Sequence, residues 1–277
     1  MDFMTAPTAR IITGDCLDII PTLDDGSIDL VVTSPPYPGQ FGNEMTPHQW
    51  LDWMMRWLKA LEPKLVPSGV IALNVATKRT DRGWYNPLIF WLSPPVKTNL
   101  ALLDTYIYGK SNPPPNGALT YCDPPGWEFV FILTNAARPE DVTFNPVRRP
   151  YSPKSITSDG RVYTGNGTGL VGDRTAEAQP HPDGARQSTL MVLSSSGDQN
   201  RPRAKGISFP RTLPERFIRQ YSNPGDLVLD PFCGVGTTCR VAYELGRRAI
   251  GIEIDPDEAD TARAWLAEPV QPVLLSI

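Results

Sequence analysis

The constraint that bears hardest on this chain lies near its end. Leu227–Leu229 is an apolar run that passes straight into Asp230-Pro-Phe-Cys-Gly234-Val-Gly236-Thr-Thr, and a helical pattern follows. A strand that turns through glycines into a helix brings unpaired backbone N–H groups up to an anion, and glycine lets the main chain approach closely. Glu253 stands 23 residues beyond Asp230, at the end of the next apolar run. In nucleotide-binding α/β folds an acidic side chain at that place reaches the two hydroxyls of a ribose. Only 24 residues follow Glu253, too few to supply the other strands of a doubly wound sheet. Those strands must come from earlier in the chain. The expectation is an α/β fold: a Rossmann-like, doubly wound mixed sheet, circularly permuted. The strand order of a dinucleotide dehydrogenase does not fit, and a structural βαβ unit without a ligand is the bland alternative.

The earlier strands are visible. ARIITGD is a short apolar run closed by Gly-Asp, CLDIIPTL a short helical stretch, and SIDLVVTSPPY a buried strand entering a proline-stiffened loop. Trp50, Trp53, Met54, Trp57, Leu58 and Leu61 recur at helical spacing and predict a helix packed on a sheet. PSGVIALNVATK, ALLDTYIYGK and GWEFVFILTN read as three further strands, and LPERFIRQYS as a short amphipathic helix. Between about Asn135 and Lys205 no apolar period is sustained, and Gly, Ser, Thr, Pro and Arg dominate. So long a connection in a compact domain predicts a functional insertion or partial disorder. The organisation expected is 1–134 and 206–277 as two halves of one domain, with 135–205 inserted.

The loop after the second strand carries chemistry. Thr33-Ser34-Pro35-Pro36-Tyr37 joins a hydroxyl, a carbonyl and an aromatic face in a rigid turn, because two prolines fix the backbone. That set answers one chemical problem. An exocyclic amine of cytosine or adenine is a poor nucleophile, its lone pair being delocalised into the ring. Two acceptors aimed at the amino hydrogens localise that lone pair toward a methyl donor. An aromatic face holds a base rotated out of the duplex, stacking being worth roughly 1–3 kcal/mol per base. A proline-rich turn without function is the plain alternative for the pentapeptide alone.

Bulk properties exclude other classes. Hydrophobic residues make up 40% and charged residues 20%, enough for a sizeable core. No run of about 18 apolar residues exists to span a membrane, and the first residues show neither a basic start nor an apolar leader. Cys16, Cys122, Cys233 and Cys239 form no CxxC pair, and there are two histidines; reduced buried thiols are expected, and no metal site. The net charge of −4 hides an asymmetry: Arg138–Arg219 carries 13 Lys/Arg against 8 Asp/Glu, the rest 13 against 22. A basic segment on an acidic body suits contact with a polyanion through one face, and a solvated loop is the competing reading.

Together these residues resemble the DNA amino-methyltransferases of the β arrangement, in which the catalytic motif precedes the cofactor motif. Thr33–Tyr37 is similar to the (D/N/S)-P-P-Y catalytic motif, and Asp230–Thr238 to the DPFxGxGTT cofactor loop. Gly14-Asp15 resembles the motif whose acid lies by the cofactor adenine, Glu253 the ribose-binding acid, and Phe209-Pro210 the segment covering the methionine end. The family's HPAxFP is here Lys205-Gly-Ile-Ser-Phe209-Pro210, so the histidine is absent.

The resemblance implies S-adenosylmethionine as cofactor, S-adenosylhomocysteine as product and no metal. The cofactor would be held by Asp15, Asp230, Phe232, Gly234, Gly236, Thr237, Thr238, Glu253, Phe209 and Pro210, with Ser34, Pro35, Pro36 and Tyr37 catalytic. It also implies a target-recognition region in the insertion, where Arg148, Arg149, Lys154, Arg161, Arg201 and Arg203 are candidate contacts to double-stranded DNA. A serine at the head of the catalytic motif is typical of cytosine N4 enzymes and favours that base over adenine N6; RNA or a protein glutamine are further alternative substrates. Cytosine C5 chemistry is disfavoured, since no cysteine stands in or beside the loop. A cytoplasmic setting in a prokaryotic cell or encoded by a phage, a cognate restriction endonuclease, and a monomer or homodimer complete what the resemblance implies.

Overall fold

The computed structural model describes residues 8–37, 45–76, 78–80, 83–85, 98–111, 126–151, 162–164, 176–178, 181–193, 202, 205 and 209–270. The chain divides into two compact units, Met1–Phe144 with Thr189–Ile277, and Asn145–Ser188.

The larger unit is built on one eight-stranded sheet. Its strands are β1 (Ala9–Thr13), β2 (Ile28–Thr33), β3 (Leu65–Val75), β6 (Ala101–Lys110), β7 (Trp127–Thr134), β12 (Leu190–Leu193), β13 (Leu227–Asp230) and β14 (Arg248–Glu253); a small hairpin, β4 (Lys78–Thr80) with β5 (Gly83–Tyr85), lies between β3 and β6 in sequence. The order across the sheet is β1-β14-β13-β2-β3-β7-β6-β12. Every neighbouring pair is parallel except those that β7 makes with β3 and β6. The late strands β13 and β14 therefore slot between the first two strands of the chain.

The central strands are near-continuous apolar runs because both faces are covered. Side chains alternate by twos. Ile71, Leu73, Phe129, Phe131 and Leu133 face a cluster that includes Trp50, Met54, Trp57, Leu58 and Leu61 of helix α2 (Pro47–Leu61), and α1 (Cys16–Ile19) adds Cys16 to it. Val70, Ala72, Val130 and Ile132 face the opposite cluster. Helices α3 (Thr212–Tyr221), α4 (Thr237–Glu244) and α5 (Pro256–Ala267) supply that second cluster with Leu213, Phe217, Ile218, Val241, Ala242, Ala259 and Ala262. Thr46 and Gln49 close a capping box at the start of α2, ahead of which the chain has left the catalytic-motif loop. The tryptophan stripe is thus core, as its spacing predicts, except for Trp53, which is half-buried.

One sheet strand escapes sequence reading. Leu190–Leu193 pairs with β6 in parallel at the edge of the sheet, inside the stretch where no apolar period is sustained. Four residues are too few to show a period. The smaller unit holds two antiparallel pairs, β8 (Arg148–Arg149) with β11 (Ala185–Arg186), and β9 (Val162–Thr164) with β10 (Ala176–Ala178).

Candidate active site

The sheet reverses its winding between β13 and β2, and ligands in open α/β sheets bind at the carboxyl ends of the strands flanking such a switch point. Those two ends are Asp230 and Thr33. Both are fully buried, and the Thr33 hydroxyl donates to Asp230 Oδ1 at 2.6 Å across 197 residues of sequence. The backbone N–H of Phe232 donates to the same oxygen at 3.1 Å, and the Thr238 hydroxyl oxygen lies 3.4 Å from the Val32 carbonyl. The glycine loop and the diproline loop are therefore stitched together at their roots.

Burial pushes the Asp230 carboxyl up to about 6, although hydrogen bonds from Thr33, Thr238 and Phe232 oppose that rise. Its ordinary value is 3.8, so the folded state binds the proton more tightly than the unfolded chain. The stability this group contributes is complete below about pH 4 and is lost as pH rises through about 6. Asn at this position keeps an acceptor for Thr33 and carries no charge. Denaturant titrations at pH 4.5 and 7.5 should show Asp230→Asn gaining on the wild type by about 2 kcal/mol between the lower and the higher pH. A difference that does not change with pH would show that Asp230 is not buried in this way.

Beyond Asp230 the chain turns through two left-handed glycines, Gly234 (φ +51°) and Gly236 (φ +85°), into α4. Gly234 N–H donates to Glu253 Oε2 at 2.8 Å, and Asp255 N–H donates to Oε1 at 2.8 Å, so one carboxylate oxygen meets the glycine loop and the other the turn after β14. Burial raises the Glu253 carboxyl above its usual value. Gly14-Asp15 comes alongside: Thr13 and Glu253 are paired in register, Gly14 N–H donates to the Glu253 carbonyl at 2.9 Å, and Asp15 Oδ1 caps α1 through Leu17 N–H at 2.8 Å. Thr237 Oγ1, at the first position of α4, is buried and has no hydrogen-bond partner among the described residues. The Phe232 ring packs against Trp53 at a tilt and against Trp57 edge to face, each 5.3 Å away between ring centres. Phe209 is half-buried against the cluster beneath α3, and the Pro210 carbonyl accepts from Leu213 N–H at 3.0 Å. Lys205, where the family pattern begins, binds Asp255 and Asp257 through its ammonium and Glu258 through its backbone N–H.

The diproline loop is held from behind. Trp50 Nε1–H donates to the Pro36 carbonyl at 2.7 Å, and Ser34 Oγ lies 3.1 Å from the Tyr37 hydroxyl. That hydroxyl donates to the Asn74 carbonyl at 3.3 Å and accepts from Ala76 N–H at 3.0 Å. Ser34 is half-buried, whereas Tyr37 is only 8% exposed. The sequence reading gave Tyr37 a face for a base; in the structure its hydroxyl also anchors the loop, meeting Ser34 Oγ, the Asn74 carbonyl and Ala76 N–H.

The thiols nearby are chemically quiet. Burial raises Cys16 to about 12, and a hydrogen bond with Cys239, together with burial, keeps Cys233 well above its usual value. Neither is a thiolate nucleophile near neutral pH.

Sequence reasoning missed Asn74, Glu128, Lys110 and the Trp50 tether. In the structure Glu128 accepts from the Asn74 amide at 2.6 Å and pairs with Lys110. Of the candidate DNA contacts, Arg148 and Arg149 form β8, and Arg148 donates to the Gly184 carbonyl at 2.8 Å. Lys154, Arg161, Arg201 and Arg203 lie outside the described residues.

Comparison with known proteins gives this geometry its context. The chain is 28% identical over 265 residues to the Type II methyltransferase M.BglII of Bacillus subtilis, covering 91% of this chain and 67% of that one. It is 28% identical over 298 residues to the Type II methyltransferase M.MjaI of Methanocaldococcus jannaschii, covering 89% and 87%. Among solved structures, the cytosine-N4-specific PvuII DNA methyltransferase superposes with a TM-score of 0.70 at 18% identity, covering 96% of this chain and 88% of that one. The M1.HpyAVI–SAM complex superposes at 0.56 with 21% identity, covering 93% and 99%. The sheet thus has the methyltransferase fold. The N6_N4_Mtase model, a DNA methylase family, matches residues 28–264, and the chain belongs to that family.

Proposed function

We propose that this chain transfers a methyl group from S-adenosylmethionine to the exocyclic N4 amine of a cytosine in duplex DNA. The observation that carries the reading is the Thr33–Asp230 hydrogen bond, which brings the diproline loop and the glycine loop to one place at the switch point of the sheet.

The residues present fit the cofactor. Gly234 and Gly236 free the backbone at the start of α4, and the unpartnered Thr237 hydroxyl beside Thr238 offers a polar atom to the methionine end. Asp15 and Glu253 bring acceptors for the adenosine, each oxygen of Glu253 being a two-lone-pair acceptor engaged by one N–H. Phe232, Phe209 and Pro210 give apolar walls. When bound, S-adenosylmethionine supplies an already activated methyl group, so the protein needs no covalent nucleophile. Ser34 Oγ and the Pro35 carbonyl accept the two amino hydrogens of the flipped base, which favours a lone pair free to react, and the surplus proton passes to solvent.

We read the interleaving of β13 and β14 between β1 and β2 as the permuted β arrangement, and the segment 135–205 as the target-recognition region, with Arg148 and Arg149 among its DNA contacts. Two Type II relatives support a place in restriction–modification, with a cognate endonuclease as partner. Cytosine is favoured by Ser34 at the head of the motif and by the PvuII likeness.

The test is direct. Purified chain, labelled S-adenosylmethionine and unmethylated duplex DNA should yield N4-methylcytosine on digestion to nucleosides. N6-methyladenine in its place would move the target base, and label entering RNA or protein but not DNA would overturn the reading.

A further inference from the structure

Three polar side chains outside the expected site stand behind Ser34, one on each of three successive strands. Asn74 on β3 is 2% exposed; its amide N–H donates to Glu128 Oε2 at 2.6 Å and reaches Ser34 Oγ at 3.5 Å. Glu128 on β7 is buried and ion-paired with Lys110 on β6. Burying these polar groups carries a desolvation cost that their hydrogen bonds offset in part, since the side-chain oxygen of Asn74 is buried with no hydrogen-bond partner among the described residues.

The donor and acceptor roles in this cluster follow from elementary rules. A carbonyl only accepts, so the Tyr37 hydroxyl gives its single hydrogen to the Asn74 carbonyl oxygen. A backbone N–H only donates, so Ala76 gives its hydrogen to the Tyr37 oxygen. With the phenol hydrogen on that carbonyl, the 3.1 Å contact between Ser34 and Tyr37 runs from Ser34 O–H to the phenol oxygen. The serine hydrogen is directed inward, and its oxygen is left to accept. The Asn74 amide points its NH2 at that oxygen because the other face of the NH2 meets a carboxylate. Turned over, the amide would set its carbonyl oxygen against Glu128 and offer Ser34 an acceptor, drawing the hydroxyl the wrong way. The Lys110 ammonium pairs with the other oxygen of the Glu128 carboxylate and holds it in place against Asn74.

We propose that Asn74, Glu128 and Lys110 are positioning residues that fix the Ser34 hydroxyl as an obligate hydrogen-bond acceptor, the polarity needed to take a hydrogen from an exocyclic amine. The inference rests on the methyl-transfer reading above. Glu128 and Lys110 act through Asn74, and all three act through Ser34 without touching the substrate.

A double-mutant cycle tests it, since a group that acts through another has no effect once the other is gone. Single-turnover methyl transfer to duplex DNA is measured for Glu128→Gln and Lys110→Gln, each with and without Ser34→Ala. With Ser34 present, Glu128→Gln should slow the methyl-transfer step about tenfold, the equivalent of one charge-assisted hydrogen bond, with the KM for DNA and for S-adenosylmethionine unchanged. Lys110→Gln should act in the same direction and carries the comparison if Glu128→Gln fails to fold. In the Ser34→Ala background neither substitution should slow the reaction further. The same loss with and without Ser34 would overturn the proposal and leave the cluster as a prop for the sheet. A wild-type chain inactive on DNA would instead defeat the functional reading itself.

Discussion

Ser34→Ala is expected to slow methyl transfer to duplex DNA by about a hundredfold to a thousandfold, the range seen when one preorganised polar group is removed from a transition state. The loop should survive the change. Pro36 remains bound to Trp50 Nε1–H, and Tyr37 keeps its bonds to the Asn74 carbonyl and Ala76 N–H. The cofactor side is anchored separately, by Thr33 to Asp230 and by Gly234 to Glu253. Equilibrium binding of S-adenosylmethionine and the thermal midpoint should therefore stay at wild-type values while the single-turnover rate falls. Activity within threefold of wild type would remove Ser34 from the chemistry, and a parallel loss of cofactor affinity would place it on the wrong side of the site.

The contrast between what this sequence discloses and what it hides has a physical cause. Contiguous signals were legible: the glycine loop into α4, the diproline loop after β2, and the tryptophan stripe of α2 are each written in consecutive residues or a single helical period. Thr33 and Asp230 were both inside recognised motifs, yet their bond joins strands 197 residues apart, and no local pattern encodes it. Asn74, Glu128 and Lys110 are hidden for a related reason. Each is one polar residue at the end of a strand, where alternation reads it as solvent-facing, and only the order β3-β7-β6 across the sheet makes them neighbours. The burial of Tyr37 was likewise invisible, because it follows from partners on β3. Function was readable from motifs, whereas the polarity of the site depends on sheet order.

The glycine loop gives the second large effect. Gly236→Val should lower the thermal midpoint by about 6–15 °C and weaken S-adenosylmethionine binding by more than tenfold. Two costs add. The backbone at Gly236 is left-handed, φ +85°, which costs an L side chain about 1–2 kcal/mol. A Cβ there would also stand 3.0 Å from the Cβ of Ala262, which is fully buried on α5, and the two methyls of valine demand further room at about 1–3 kcal/mol for overpacking. For a domain of this size each kcal/mol shifts the midpoint by roughly 2–4 °C. Relief can come only by moving α4 or the loop before it, and that loop is what Glu253 holds through Gly234. Gly225 supplies the control, since its φ of +91° is equally left-handed but nothing lies within 4 Å of an added Cβ. Gly225→Ala should therefore show the backbone cost alone, a few degrees, with cofactor binding intact. If Gly236→Val instead behaved like Gly225→Ala, α5 would not be packed against the start of α4, and the cofactor cradle inferred there would lose its floor.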